Sequence, residues 1–198
     1  MALHRPVAVD PKDRRVQHAH LPLAQALDHP VFRLPCELWQ RKRGPRRLPS
    51  RSDFDPLELK PILSRLMLIE VVPDPPDFRY RLAGTLSRDL TGEDWTGRSV
   101  LDLVPPQHGR LLWNALCEMQ QTLEPQYVQL SAISSGGQPL SYNVLRLPLG
   151  GDGETMDMAL VVQDHGNALP LLRLYFDEQR GEGSIQAALS VRHLPGPG

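Results

Sequence analysis

Residues 68–85, LIEVVPDPPDFRYRLAGT, decide how this chain folds. Leu68-Ile69-Glu70-Val71-Val72 is rich in β-branched residues, and Phe78, Tyr80 and Leu82 alternate with Arg79 and Arg81 at the period of a half-buried strand. Between them Pro73-Asp74-Pro75-Pro76-Asp77 lacks the N–H groups for a full ladder and favours a surface turn. Gly84 then lets the backbone leave the sheet, and Thr85 stands where a short helix is capped. A hairpin that runs into a helix opens a small antiparallel α+β domain.

The segments that follow continue that plan. Residues 85–90 predict a short helix ended by Thr91-Gly92, and residues 93–104 a brief helical region punctuated by Gly97. Pro105-Pro106 opens the longest helix, on which Leu111, Leu112, Ala115, Leu116, Met119 and Leu123 recur at helical spacing as one apolar stripe shared by His108. Three strands are predicted after it, over 126–134, 140–149 and 155–164, with turns at 135–138 and 150–153. The expected architecture is a five-stranded antiparallel sheet with helices on one face, α+β in class.

Upstream of the hairpin the pattern is weaker. Residues 1–35 carry an interrupted apolar pattern and are expected to be weakly ordered, and residues 36–64 form a helical extension. Within it CELWQRKR, residues 36–43, is a short amphipathic helix offering Leu38 and Trp39 for burial. Asp55-Pro56-Leu57-Glu58 is a helix start with Asp as cap, and Pro61 limits that helix to about a turn. Residues 65–165 hold the sheet. In the extension 166–198, LPLLRLYF at 169–176 is apolar enough to pack back on the domain or on a partner, 184–191 suits a final strand or helix, and HLPGPG suits a frayed end.

Charge is unevenly shared. Residues 1–51 hold 11 Lys/Arg against 4 Asp/Glu, and residues 52–198 hold 11 against 19, for a net charge of −1. Most of the positive block is RKRGPRRLPSR, residues 41–51, which reads either as a nucleic-acid or anionic-lipid patch or as a solvated helix end facing the acidic remainder. No recognition helix or aromatic platform follows it, which favours the second reading. Cys36 and Cys117 are too few for a disulfide framework, and no apolar leader or membrane-length run occurs, so the expected compartment is the cytoplasm.

Catalytic signatures are absent: there is no Gly-x-Ser-x-Gly elbow, phosphate loop or His-Glu-x-x-His. Residues 150–153 are followed by a strand and read as a hairpin turn. His18 and His20 are spaced to hold a metal weakly, whereas Asp53, Asp55 and Glu58 are explained mainly by helix capping. The chain is expected not to be an enzyme.

The phrases around the hairpin add a likeness. LWQRKRGPRRLPSRSDFDPLELKPIL at 38–63, then LIEVVPDPPDFRYRLAGT, then LTGEDWTGRSVLDL resemble a family of short bacterial PAS proteins, mostly alphaproteobacterial, with no attached kinase or cyclase. The resemblance spans about residues 36–165. It implies a sensory fold that binds a small apolar ligand or a protein partner, and it places Phe78, Tyr80, Leu82, Leu90, Trp95, His108, Leu112, Leu116, Met119, Leu145 and Met158 near a pocket between sheet and helices. Each of these residues is also an ordinary core residue. The resemblance further implies that haem would need His108 as axial ligand and that flavin photochemistry would need a cysteine between residues 86 and 103, where none stands. A homodimer through Leu38, Trp39 and an exposed sheet face is expected. A ligand-free interaction or localisation adaptor is the alternative, and a nucleic-acid contact through 41–51 comes third.

Overall fold

In the computed structural model, residues 3–8, 16–103, 106–133, 137–178 and 181 are described. The central hairpin forms as its alternation requires: β2 (Leu66–Pro73) pairs antiparallel with β3 (Pro76–Ala83), with a register shift between Leu68 and Ile69. Helix α4 (Thr85–Thr91) follows and stops at Gly92, whose φ of 74° is the left-handed conformation that ends helices. Of the expected helical region over 93–104, the described residues 93–103 give only a single 3-10 turn, Val100–Asp102, capped by Ser99. The long helix α5 (Pro106–Thr122) crosses the sheet and leads into β4 (Gln126–Ile133), β5 (Pro139–Leu149) and β6 (Met158–Asp164). Strand β6 starts three residues later than the alternation suggests. The carboxylate of Asp152 accepts the backbone N–H groups of Glu154 and Thr155 and the Thr155 hydroxyl, extending the turn. Half of the expected turn over 135–138 and the expected elements over 184–198 lie outside the described residues.

The sheet has six strands rather than five, all antiparallel, in the order β1-β4-β5-β6-β2-β3. The additional strand, β1 (Val16–Leu21), comes from the segment in which no element was expected, and it pairs along β4 from Val16↔Ala132 to Leu21↔Tyr127. Its sequence, VQHAHL, shows only Val16 fully buried, so its place is set by backbone pairing rather than by an apolar face. Residues 3–8 also pack on the domain. His4 is buried against Phe78 and Trp113, its Nε2 lies 3.0 Å from the carbonyls of both Val72 and Asp77, and its N–H donates to Gln120 Oε1.

Both faces of the sheet are covered over its centre, while Gln17, Ala19, Gln129 and Ser141 stay exposed on one of them. One carries Met67, Tyr80, Leu130, Tyr142, Val144, Arg146 and Val161 and lies under α5. On the opposite face, α1 (Leu23–Asp28) and α2 (Arg33–Arg43) lie over Tyr127 and its cross-strand neighbour Leu145: Phe32 meets Tyr127 edge to face at 5.4 Å, and Trp39 Nε1 donates to the Pro148 carbonyl at 2.7 Å. Helix α3 (Pro56–Leu59) is capped by Asp55 in a reciprocal box with Glu58 and continues into a 3-10 turn at Lys60–Arg65. A helix over residues 169–178, here α6, buries Leu172, Tyr175 and Phe176 against the domain. Among the described residues no helix is long and apolar enough to cross a membrane.

Gly84 serves packing rather than conformation. Its φ of −63° suits any residue, but a Cβ there would lie 2.5, 2.7 and 2.8 Å from the carbonyl oxygens of Ser64, Leu63 and Leu66. Backbone cannot yield as a flexible side chain does. Gly84→Ala is therefore expected to cost about 1–3 kcal/mol, read as a lower urea midpoint at unchanged slope. A variant as stable as the parent would show that the β3–α4 corner tolerates displacement.

Candidate functional site

Strand β5 brings the chemistry inward. Tyr142, Val144 and Arg146 share one parity and face α5, while Leu145 and Leu147 share the other. Arg146 stands opposite Gln126 on β4 and Val161 on β6, in the middle of the sheet, and is 2% exposed. Around it Met67, Tyr80, Leu103, His108, Leu111, Leu112, Leu130, Tyr142, Val144, Val161 and Gln163 enclose a cavity of about 40 Å³. That is room for a few water molecules or a molecule of similar size.

Polar groups converge on this space. The Arg146 guanidinium donates from Nη1 to Gln126 Oε1 at 3.2 Å, and its Nε has no partner. The Gln126 amide in turn donates to the Ala115 carbonyl at 3.1 Å and to Glu118 Oε2 at 3.3 Å, so the nearest carboxylate reaches Arg146 only through an amide. Burial pushes Arg146 down to about 10, the tyrosine and Glu118 charges opposing that shift. Burial also raises Tyr80 and Tyr142, which keeps both hydroxyls protonated and able to donate. His18 of β1 is lowered, first by burial and then by the Arg146 charge.

The cavity is connected to the C-terminal helix. His108, in the first turn of α5, shares a 3.3 Å hydrogen bond with the Tyr175 hydroxyl, and its ring lies 5.3 Å from Phe176. Tyr142, which lines the cavity, packs at a tilt on the His165 ring, 4.8 Å between centres, where the chain leaves β6. His165 is buried with neither ring nitrogen partnered, and burial, with the nearby Arg65 charge, pushes it down to about 4.

Of the residues expected at a pocket, Tyr80, His108 and Leu112 line this cavity. Phe78 packs instead on His4 and Trp113, and Trp95 donates from Nε1 to Thr91 Oγ1 at 2.7 Å. Leu90, Leu116 and Met119 are buried core. Leu82, on the edge strand, is 38% exposed. Leu145 and Met158 have the parity of the opposite sheet face, beside Tyr127 and Leu149 respectively. The expectation of an interface at Leu38 and Trp39 meets a physical obstacle, since both are buried within the protomer at 2% and 4% exposure. Arg146 was not among the expected residues, although its parity with Tyr142 marks it as inward-facing.

Other candidates resolve into structure. In the basic block, Arg41 and Lys42 pair with Glu58 at 2.9 and 2.8 Å, and Arg46 pairs with Asp53 at 2.7 Å. These two carboxylates offset part of the block's charge. Asp53 caps the turn at Arg51–Asp53 with Ser50, so all three acids of that stretch are explained by capping and pairing. Cys117 is fully buried with its thiol pushed up to about 11 by desolvation, which keeps it an inert packed group. Among the described residues no three His, Cys, Asp or Glu side chains gather to hold a metal.

An antiparallel sheet crossed by one long helix, with a small chamber between them, makes this an α+β domain of the PAS type. A PAS-domain family model matches residues 27–162, and the chain belongs to that family. Solved structures with a similar fold include the light state of the blue-light photoreceptor Aureochrome1 LOV, at 16% identity and a TM-score of 0.40, covering 62% of this chain and 95% of that one. The Rhodobacter sphaeroides LOV protein is similar at 17% identity and a TM-score of 0.40, over 56% of this chain and 68% of that one. The PAS domain of a Colwellia psychrerythraea protein is similar at 12% identity and a TM-score of 0.38, over 57% and 98%. No curated protein matches the chain.

Neither a flavin nor a haem fits the residues present. The chamber is about 40 Å³, far below the several hundred Å³ that such cofactors occupy. His108 is already engaged by Tyr175, and the nearest cysteine in sequence to the chamber-lining part of α5, Cys117, is not among the lining residues.

Proposed function

We propose that this chain is a cytoplasmic, non-catalytic sensory or signalling module that binds a small molecule in the chamber under α5 and reports its occupancy through α6. One observation carries the reading: His108 lines the chamber and also holds Tyr175 and Phe176 of α6. A ligand of a few atoms fits the chamber as it stands. A larger one has to shift the wall, and a shift of His108 changes how α6 docks. The mechanism is a population shift, its size set by the ligand's differential affinity for the docked and undocked states. A homodimer or another protein partner would receive that signal on exposed apolar side chains such as Leu57, Leu63 and Leu82, because Leu38 and Trp39 are enclosed.

The near-filled core favours one second reading, a ligand-free interaction adaptor. Native mass spectrometry of freshly purified full-length chain, with an absorption spectrum of the same sample, separates the two. The sensor reading expects a stoichiometric added mass that is lost on denaturation. A chain or dimer of bare mass, unchanged by incubation with cell extract metabolites, overturns it in favour of the adaptor.

A further inference from the structure

We propose that the chamber is an anion site in which a small carboxylate, of formate or acetate size, binds the Arg146 guanidinium with Tyr80 and Tyr142 as neighbouring hydroxyl donors. The inference rests on the reading of the chamber as a ligand site and names the chemical class of its ligand.

The argument starts from what Arg146 lacks. A guanidinium presents five N–H donors in a rigid fork, and the one side-chain acceptor here is the Gln126 amide oxygen. Nε is buried with no partner, and among the described residues no carboxylate lies within ion-pair distance of it. A buried charge without a counter-ion costs several kcal/mol even after relaxation. Structures rarely retain such a group unless a water or ion completes it.

The surroundings select the sign and shape of what completes it. Arg146, Tyr80 and Tyr142 all line the chamber and all offer hydrogens, while Gln163 is an amide able to serve either way. The nearest carboxylate, Glu118, is already engaged by the Gln126 amide. Convergent donors around an uncompensated cation favour an anion. A planar carboxylate matches the guanidinium fork with two parallel hydrogen bonds. The rest of the wall, Met67, Leu103, Leu111, Leu112, Leu130, Val144 and Val161, is apolar and suits a methyl or hydrogen on the carboxylate carbon. The volume limits the ligand to a few non-hydrogen atoms unless the wall moves.

The test uses full-length protein in sulfate buffer at constant ionic strength, titrated with sodium formate or acetate and, as a control, sodium chloride. The parent is expected to show a saturable rise of several degrees in unfolding temperature with the carboxylates. Arg146→Met should fold at least as stably without ligand, since it removes an unpaired buried charge, and should lose the carboxylate response. Tyr142→Phe removes one hydroxyl and little volume, and should weaken the response several-fold while leaving the fold intact. No carboxylate-dependent rise in the parent, or an equal rise in Arg146→Met, overturns the anion assignment. If the native spectrum then shows an uncharged apolar adduct, only that assignment falls. If it shows no adduct, the sensor reading falls as well.

Discussion

Trp39→Ala is expected to cost about 3–5 kcal/mol, the range for truncating a buried large aromatic. Its side chain is 4% exposed, and it fastens α2 to the sheet through the 2.7 Å hydrogen bond from Nε1 to the Pro148 carbonyl. Removing the indole leaves a cavity and an unsatisfied carbonyl on β5. Arg43, whose guanidinium lies 5.3 Å from the Trp39 ring centre, loses a cation–π contact as well. Trp39→Phe retains much of the packing but leaves the same carbonyl bare, for about 1–3 kcal/mol. Urea unfolding combined with sedimentation distinguishes this from an interface role. A Trp39→Ala protein that stays folded while losing a dimer would place the residue at a subunit contact and overturn the packing account.

Acidification should destabilise the protein through His165. Its folded-state value is about 4 against 6.5 when free, so between those values the unfolded chain binds the proton more tightly. The stability associated with the neutral, buried ring is complete above about pH 6.5 and declines as pH falls toward about 4. At 1.36 kcal/mol per pKa unit the loss is on the order of 3 kcal/mol. Depressed carboxylates such as Asp152, held down to about 2 by Thr155 and Glu154, contribute their own loss only at lower pH. His165→Leu separates the two effects, because neither ring nitrogen has a partner to lose. The variant should show a flatter stability profile between pH 6.5 and 4. An identical profile in parent and variant would show that His165 charges freely in the folded state.

The hairpin was legible because its two strands alternate cleanly and its prolines admit only a turn. The long helix was legible for the same kind of reason, through the stripe from Leu111 to Leu123. Strand β1 was not, since VQHAHL has no apolar face and its pairing with β4 is a backbone property. The site was read by counting apolar residues, which fails where both sheet faces are buried. Residues 144–149 of β5 are buried on both parities, and Leu145 was assigned to the chamber although it points toward Tyr127 and α2. Parity was the better guide. Tyr142, Val144 and Arg146 form one row, and a charge in such a row marks a polar demand inside the core. The role of α6 depends on contacts more than sixty residues apart in sequence, such as His108 with Tyr175, which no local pattern carries.

The extra strand has a bearing on how this protein meets others. An open sheet exposes rows of unpaired amides that invite strand addition and fibrous self-association. Here β1 lies along the flank of β4, and on the far side of the sheet the loop at 97–99 closes on β3, with Tyr80 donating to the Arg98 carbonyl and Gly97 donating to that of Tyr80. The long inner strands are thereby shielded from templating by another chain. The edge left on the β4 side is β1 itself, and its six residues offer another strand only a short template.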